Sequence, residues 1–397
     1  MLAAVKRQCS LDATNICRFR STELVTLLRA VWYLHHMSAR GRTKPRAPTL
    51  GDVAREAGVS PSTAARALGR YGSVSPEAQA RTEAAASRLG YRRNRLASSM
   101  ITGRTHTLAF VAADIGNVFF ARALRGAADV AHKAGLEVVV ANSDEDVALE
   151  RAAVRILDEK RVDGFIIAPV GDGASDHIAG LLGRGTPVVF FDRIVPDIET
   201  DAVLIDNLQA ARSGVQWLTH LGHERIALIT TSLAAGDPVA QLERIALDPR
   251  SASTTDARGA GYLAALRAAG LPVDPSLIVD AAYSREEAAA AVAALLRGAS
   301  KPTALFTVDN VMTLGTYEAI QRSGLRFPED ISLLGFDDLE WTTIVRPTLS
   351  VIAQPAYDLG ATAARRLLDR LGGDATPPQI SLLAATLIER DSVCPPG

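Results

Sequence analysis

The sequence predicts two unlike parts: an N-terminal all-α module of three short helices, and an α/β body built as two lobes of parallel sheet. Three observations carry this. Charge is split along the chain: the formal net charge of −1 over 397 residues hides a segment 37–104 with thirteen Lys or Arg against four Asp or Glu, while 105–397 carries 25 basic and 38 acidic residues. Helix start and stop signals recur closely between residues 49 and 90. From Thr107 on, apolar runs rich in Val, Ile and Phe alternate with Ala-rich stretches, the texture of strands covered on both faces by helices. Roughly 290 residues of that pattern exceed one core, so two lobes follow.

The front of the chain is the least informative. Its most apolar stretch, LVTLLRAVWYL (24–34), is interrupted by Arg29 and followed by HHMSARGR, not by a small-residue cleavage site. It is too short for a membrane span and lacks the flanks of a signal peptide. Residues 1–48 are therefore expected to be a disordered extension, with Met37 a candidate for the true first residue. Cys9, Cys17 and Cys394 form no CxxC pair or His/Cys cluster, which excludes a disulfide framework and structural zinc and suits a reducing, cytoplasmic setting.

Thr49, with Asp52 three residues on, has capping-box spacing, and Leu50, Val53, Ala54 and Ala57 give one apolar helical face. Gly58 stops that helix; Ser60 caps the next, with Pro61 at its first position. Ser75-Pro76-Glu77 repeats the start signal for a helix ended by Gly90. The expected strands are 107–113, 136–142, 164–169, 187–192, 202–205, 225–230, 303–308 and 331–336, with helices near 118–134, 146–160, 207–221, 257–269, 285–297, 310–323 and 356–371. The segment between Thr231 and Arg258 has no obvious strand.

LGDVAREA, GVS and PSTAARAL give a helix, a tight turn with glycine and a second helix within about twenty residues, a helix-turn-helix spacing. In that motif the second helix enters the major groove and presents its N-terminal residues to base edges. Here these are Pro61, Ser62 and Thr63, with Arg66 one turn on, of a length to reach guanine O6 and N7 with two hydrogen bonds. The basic segment favours DNA further, since phosphate neutralisation supplies most non-specific affinity.

TLGDVAREAGVSPSTAARAL, followed by VSPEAQARTEAAASRLGYRRNRLASSM, resembles the N-terminal signature of the lactose/galactose-repressor family of transcription factors, and the resemblance extends over nearly all of 49–392. It implies a helix-turn-helix headpiece at 49–92, a hinge helix and linker at 93–104, and a two-lobed, periplasmic-binding-protein-like effector and dimerisation domain at 105–397. The N-lobe is expected at about 107–206 and 350–377, the C-lobe at about 207–349 and 378–397. By the same resemblance Thr49, Ser60, Pro61, Ser62, Thr63 and Arg66 fall on headpiece DNA contacts. Asn94, Ala97 and Met100 fall on the hinge helix, with Met100 where the family carries a leucine wedge for a minor-groove step. Ala64-Ala65 replaces a usual Val-Ser, Gly69 a usual Asn and Arg93 a usual Pro. These departures bear on the operator sequence more than on the function.

In the body, polar residues stand at strand ends, where open α/β sheets bind ligands: Asp114, Asp192-Arg193, Asp309-Asn310 and Asp337-Asp338, with Arg258 opening a helix. Carboxylates and a guanidinium interleaved with Phe119, Phe120 and Trp341 suit a polyol, whose hydroxyls take bidentate bonds and whose C–H faces take rings. Against this, an Asp after a strand is often only a helix cap. The resemblance implies an effector pocket at Asp114, Asn117, Phe119, Phe120, Asp192, Arg258, Asp309, Asp337 and Gln354. Asp309-Asn310 inverts the order the family often has. Residues 231–257 run roughly a dozen longer than usual, and their composition favours disorder over a flap.

The expected function is a ligand-responsive repressor, not an enzyme, with double-stranded operator DNA, a sugar-like effector (a nucleobase remaining open) and a second copy of itself as partners; a tetramer also remains open. No cofactor, metal or membrane is implied. GAGYLA (259–264) fits a dinucleotide fingerprint but has no strand before it, and His106, His220 and His223 lack a catalytic or metal context. The alternatives are a solute-binding protein, which calls for a signal and no basic headpiece, or an α/β sugar enzyme, which calls for a phosphate-binding glycine loop.

Overall fold

The computed structural model describes residues 47–69, 72–91, 104–171, 175–231, 233, 235–247 and 253–397. The chain divides into two compact units, Met1–Ser98 and Ser99–Gly397.

In the first unit α1 (Leu50–Ala57), α2 (Pro61–Gly69) and α3 (Pro76–Leu89) surround a small core. The Asp52 amide donates to Thr49 Oγ1, and the Thr49 amide donates back to Asp52 Oδ2 at 2.9 Å, so the capping box is complete. Gly58 takes φ +65°, where a side chain would be strained, and turns the chain between α1 and α2. Val53, Ala57, Ala85 and Ala86 fill the centre, with Val59, Leu68 and Tyr91 against them. Gln79 Nε2 donates to the Ala67 carbonyl at 2.9 Å and ties α3 to α2.

The second unit begins with β1 (Thr107–Ala112), α4 (Val118–Lys133), β2 (Glu137–Asn142), α5 (Val147–Glu159), β3 (Gly164–Ile167), α6 (Asp176–Gly183), β4 (Val188–Phe191) and β5 (Asp201–Ile205). The chain then crosses to the other lobe for α7 (Asn207–His220), β6 (Ile226–Thr230), α8 (Pro238–Leu247), α9 (Thr254–Ala268), β7 (Ile278–Asp280), α10 (Arg285–Arg297), β8 (Ala304–Thr307), α11 (Asn310–Ser323), β9 (Ser332–Phe336), α12 (Glu340–Ile344) and β10 (Ser350–Ala353). It returns for α13 (Ala356–Leu371) and β11 (Ile380–Leu383), then crosses again to end the second sheet with β12 (Thr386–Ile388).

Among the described residues the sheets run β11-β5-β4-β3-β1-β2 and β12-β10-β9-β8-β6-β7. Only β10 with β12 pairs antiparallel; the other ladders are parallel, with the inner strands buried on both faces and the edge strands β2 and β11 partly exposed. In each lobe the first strand has its successor on one side and the third on the other. Strand order therefore reverses beside β1 and beside β6, the positions where α/β sheets open a crevice.

Two expectations change. The lobe bounds shift, because Ser350–Ala353 pairs in parallel with β9 and so belongs to the C-lobe, whereas Ile380–Leu383 pairs with β5 and belongs to the N-lobe. Strands this short carry no sequence mark of which sheet they join. The segment 231–257, expected to be disordered, contains α8, and α9 starts three residues early on a Ser253 cap. Leu242 of α8 is fully buried, 2.7 Å from where a Cβ on Gly259 would stand, and Val239 and Ile245 pack half-buried against the same core, so this helix docks through a short apolar face.

The N-lobe rests on a close crossing of α4 and α13. A Cβ at Gly360 would lie 1.8 Å from the Ala123 carbonyl oxygen, and one at Gly126 would lie 2.0 Å from that of Tyr357. Backbone meets backbone there and cannot move aside as a side chain would. Gly360→Ala is expected to cost about 3 kcal/mol or more. Urea unfolding of the full chain checks it: the midpoint should fall with little change in slope, and an unchanged midpoint would refute the crossing.

Candidate functional site

Two polar surfaces stand out, one in each unit. In the headpiece, Ser60 Oγ accepts from the Thr63 amide at 3.1 Å and shares hydrogen bonds with Ser62 Oγ and Thr63 Oγ1 at 2.9 and 2.8 Å. Ser60, Pro61 and Ser62 are exposed, and Thr63 and Arg66 half-buried. The α2 N-terminus is thus a small hydroxyl-lined end with its orphan amides partly capped. Arg66 donates from Nε to the Ser62 carbonyl at 3.4 Å, and its Cδ lies 3.2 Å from the Cβ position of Gly72. Its stem thus lies along α2, and its terminal nitrogens have no partner among the described residues. Thr49 differs from these: its hydroxyl is engaged with Asp52 Oδ2 at 2.7 Å. Asn94, Ala97 and Met100 lie outside the described residues.

In the second unit a polar cluster joins both lobes. Arg258, on the second turn of α9, is only 3 % exposed. Its Nε donates to Asn207 Oδ1 at 2.8 Å, its Nη1 to the Val308 carbonyl at 2.7 Å, and its guanidinium lies 3.8 Å from the centre of the Phe336 ring. Burial pushes its charged form down, and Asp337, Asp192 and Asp309 push it back. Asp192 and Asp309 are raised in turn by their own burial, Asp309 to about 6. Such mutual dependence is typical of a charge group removed from water.

Asp192 and Asp337 sit at equivalent places. Asp192 follows Phe191 on β4, and Asp337 follows Phe336 on β9, the third strand of each sheet order. Both take left-handed backbone, φ 69° and 73°, and both donate their amide to the neighbouring strand, to Val203 O at 3.1 Å and Ile352 O at 2.9 Å. Non-glycine residues held in that region cost energy, and such positions collect at binding sites.

Asn117 bridges the lobes. As N-cap of α4 its Oδ1 accepts from the Phe119 amide at 3.0 Å and also from Asn310 Nδ2 at 2.8 Å, while its Nδ2 donates to Tyr283 OH at 3.2 Å. Asn310 Nδ2 also reaches Asp337 Oδ2 at 3.3 Å, and Gln354 Nε2 donates to Asp337 Oδ1 at 2.7 Å. Asp309 Oδ1 caps α11, but its Oδ2 and Gln354 Oε1 are buried without a donor among the described residues.

The structure thus gathers Asn117, Asp192, Arg258, Asp309, Asp337 and Gln354. Asp114 stands nearby as a half-exposed turn residue bonded to the Gly116 amide at 2.7 Å. Phe119 and Phe120 instead enter the N-lobe core, each 5 % exposed and packed on Phe191 at 6.4 and 5.8 Å between ring centres. Trp341 lies on Tyr317 at 6.0 Å, half-buried in the C-lobe. The ring open to the cluster is Tyr283, 43 % exposed, which sequence reasoning missed because β7 before it is only three residues long. Asn207 was missed too, and Asn310, noted at its strand end, was not given a place in the pocket. Each opens a helix beside an Asp that caps it, and the cap drew the attention. Arg193 closes the edge with a two-pronged pair to Glu145 at 2.8 and 2.9 Å.

Residues 49–94 match the family described as bacterial regulatory proteins, lacI family, and residues 215–393 match a periplasmic binding protein-like domain. Catabolite control protein A of Priestia megaterium is 33 % identical over 87 % of this chain and 98 % of its own. The transcriptional repressor CytR of Escherichia coli K12 is 31 % identical over 89 % and 98 %. This chain belongs to the lacI family. It is a ligand-responsive, DNA-binding transcriptional regulator with a helix-turn-helix headpiece and a two-lobed α/β domain. Among solved structures, the lac repressor dimer bound to operator and an anti-inducer is similar with a TM-score of 0.74 at 28 % identity, covering 88 % of this chain and all of that one. A CelR–cellobiose complex is similar at 0.63 and 28 %, covering 87 % and 100 %. No helix of this lacI-family chain, among the described residues, is long and apolar enough to cross a membrane.

Among the described residues Arg258 is the cation bonded to Asn207 and the Val308 carbonyl, and its removal leaves the buried carboxylates of Asp192, Asp309 and Asp337 with Arg193, paired to Asp192 at 3.4 Å, as the neighbouring cation. Arg258→Met is expected to cost about 3–5 kcal/mol at pH 7.5. Because the carboxyls of Asp192 and Asp309 are raised and lose their charge on acidification, the loss should shrink at pH 5. Denaturant titrations at the two pH values read this directly; a loss that grows in acid would contradict it.

Proposed function

We propose that this regulator is a repressor that binds a palindromic operator as a homodimer and is controlled by a small sugar-like effector held between its lobes, with no catalytic step. The observation that carries the effector site is the cluster centred on Arg258, drawn from both lobes at the carboxyl ends of their strands and rimmed by Tyr283. Planar polar groups beside one open ring suit a polyol. Relatives in this family are a repressor by name and a dimer on operator by structure, and one neighbour holds cellobiose. A basic headpiece at 49–94 leaves a free-standing solute-binding protein without support.

Ser60, Pro61, Ser62, Thr63 and Arg66 are the proposed groove-facing residues, with Thr49 holding α1 in place rather than reading bases. A dimer sets two such helices over half-sites about one helical turn apart or a multiple of it. Effector and operator then alter each other's affinity by the same factor.

Selection of duplexes from a random pool by the full chain tests this reading. Palindromic sites should emerge, and affinity should fall steeply with salt as phosphate contacts release counterions. Arg66→Ala should relax selection at one base pair in each half-site, at about 1–3 kcal/mol per contact. Unchanged selectivity would remove Arg66 from base readout, and a pool without enrichment would overturn the operator itself.

A further inference from the structure

A second polar cluster lies in the C-lobe, in the layer between β6, β7 and α9. The Tyr262 hydroxyl donates to the Ile226 carbonyl at 2.8 Å, and a Cβ on Gly259 would stand 3.5 Å from Leu228 Cδ2. Tyr262, Gly259 and Asp256 are three apart on α9 and share one helical face. Ile226, Leu228 and Thr230 are two apart on β6 and share one face of the sheet. The helix returns along the strand, so the next step of the series sets Asp256 over Thr230. Thr230 is also the register partner of Asp280 on β7, which puts both side chains on that same face. The roof is the long segment after β6: the Leu233 amide donates to Asp280 Oδ1 at 3.3 Å, and Leu242 of α8 covers Gly259.

The oxygens gathered there lack partners. Thr230 is fully buried, and neither its Oγ1 nor the buried Asp256 Oδ1 has a partner among the described residues. Asp280 stands exposed on the edge strand, and its Oδ2 has no partner among the described residues either. Burial raises the Asp256 carboxyl, a hydrogen bond with the Ser253 side chain opposes this, and the Asp280 charge raises it further. Asp280 is itself raised by partial burial against the Leu233 bond. Among the described residues no Lys, Arg or His offsets either carboxylate. The Thr230 hydroxyl has one proton to give and no charge, so it cannot balance both.

We propose that this pocket binds one hard divalent cation through Asp256 Oδ1, Asp280 Oδ2 and Thr230 Oγ1. An all-oxygen set without nitrogen or sulfur selects the magnesium and calcium type over zinc or copper. Two carboxylates match a charge of two, whereas a monovalent ion leaves one of them uncompensated. The exposed side at Asp280 is the way in, and it leaves room for the waters that complete the coordination of either ion. The ion pins the first turn of α9 to the sheet, two residues before Arg258, and shares no ligand with the cluster around that arginine. The site therefore stands whether or not the interlobe cleft takes a sugar.

The experiment uses the full chain, dialysed against EDTA and then metal-free buffer at pH 7.5. Calorimetric titration and thermal unfolding are followed with CaCl2, with MgCl2, and with NaCl at matched ionic strength. One divalent ion per chain is expected to bind with a submillimolar Kd, and the unfolding midpoint should rise with the logarithm of its concentration. Whichever of calcium and magnesium binds more tightly names the ion. Asp256→Asn and Asp280→Asn each keep the side-chain shape and an acceptor for their present bonds, and each should weaken binding at least about tenfold. Thr230→Val should weaken it less. The proposal is overturned if neither divalent ion binds, if NaCl raises the midpoint as much as the divalent salts do, or if both Asn variants bind as the parent chain does. The last result would put the ion elsewhere on the acidic surface.

Discussion

Arg258 is the point on which the second unit depends. A guanidinium only 3 % exposed survives out of water because Asn207, the Val308 carbonyl and the Phe336 ring each satisfy one aspect of it, and three carboxylates balance its charge. The dependence runs both ways. Asp192 and Asp337 are held in left-handed backbone at strand ends, and the guanidinium they face is among the interactions that favour keeping them there. Removing either side leaves buried charge, so the group is retained or lost as a whole.

The equivalence of Phe191-Asp192 and Phe336-Asp337 deepens this. The two lobes have no visible sequence repeat, yet their sheets have the same strand order and place an Asp with positive φ after the third strand of each. Topology alone explains the correspondence: a parallel strand that ends beside the next strand's carbonyl turns sharply there, and the amide bond to Val203 or Ile352 fixes the turn. Asp tolerates that backbone better than a branched residue. Two lobes facing one another then present carboxylates from both sides to one cation.

How much of this was legible in the sequence follows from what each signal measures. The long strands and capped helices were readable, because hydrophobic runs, Ser60-Pro61 and Ser75-Pro76 are local chemistry. The fates of β7, β10 and β11 were not, since three or four residues carry too few side chains to say which sheet they join. The helix at 238–247 was hidden for a related reason: it is only ten residues long, and its apolar stripe is three residues, Val239, Leu242 and Ile245, of which only Leu242 is fully buried. At the site, the ionised residues announced themselves. Phe119 and Phe120 looked like ligand covers and turned out to fill the core, as aromatic residues on the inner face of a helix usually do. Tyr283, Asn207 and Asn310 are neutral, and their importance comes from partners distant in sequence, Asn117 across the cleft for Tyr283 and Asn310 and Arg258 for Asn207, which only the fold supplies.

The connections between the lobes also have a part in the response. The chain crosses between β5 and α7, between β10 and α13, and between β11 and β12. The first crossing delivers Asn207 to Arg258, and the second delivers Gln354 to Asp337. Hinge segments are thus bonded into the cluster they carry, so an opening of the lobes strains those bonds as well as the Asn117 contacts to Asn310 and Tyr283. An effector shifts the balance only by as much as it binds one arrangement better than the other. In the arrangement seen, Asn117 already clasps the C-lobe while Asp309 Oδ2 and Gln354 Oε1 lack donors. The clasp favours closure of the empty cleft and the open acceptors disfavour it. A ligand that supplies the missing donors removes the second term without competing for the first.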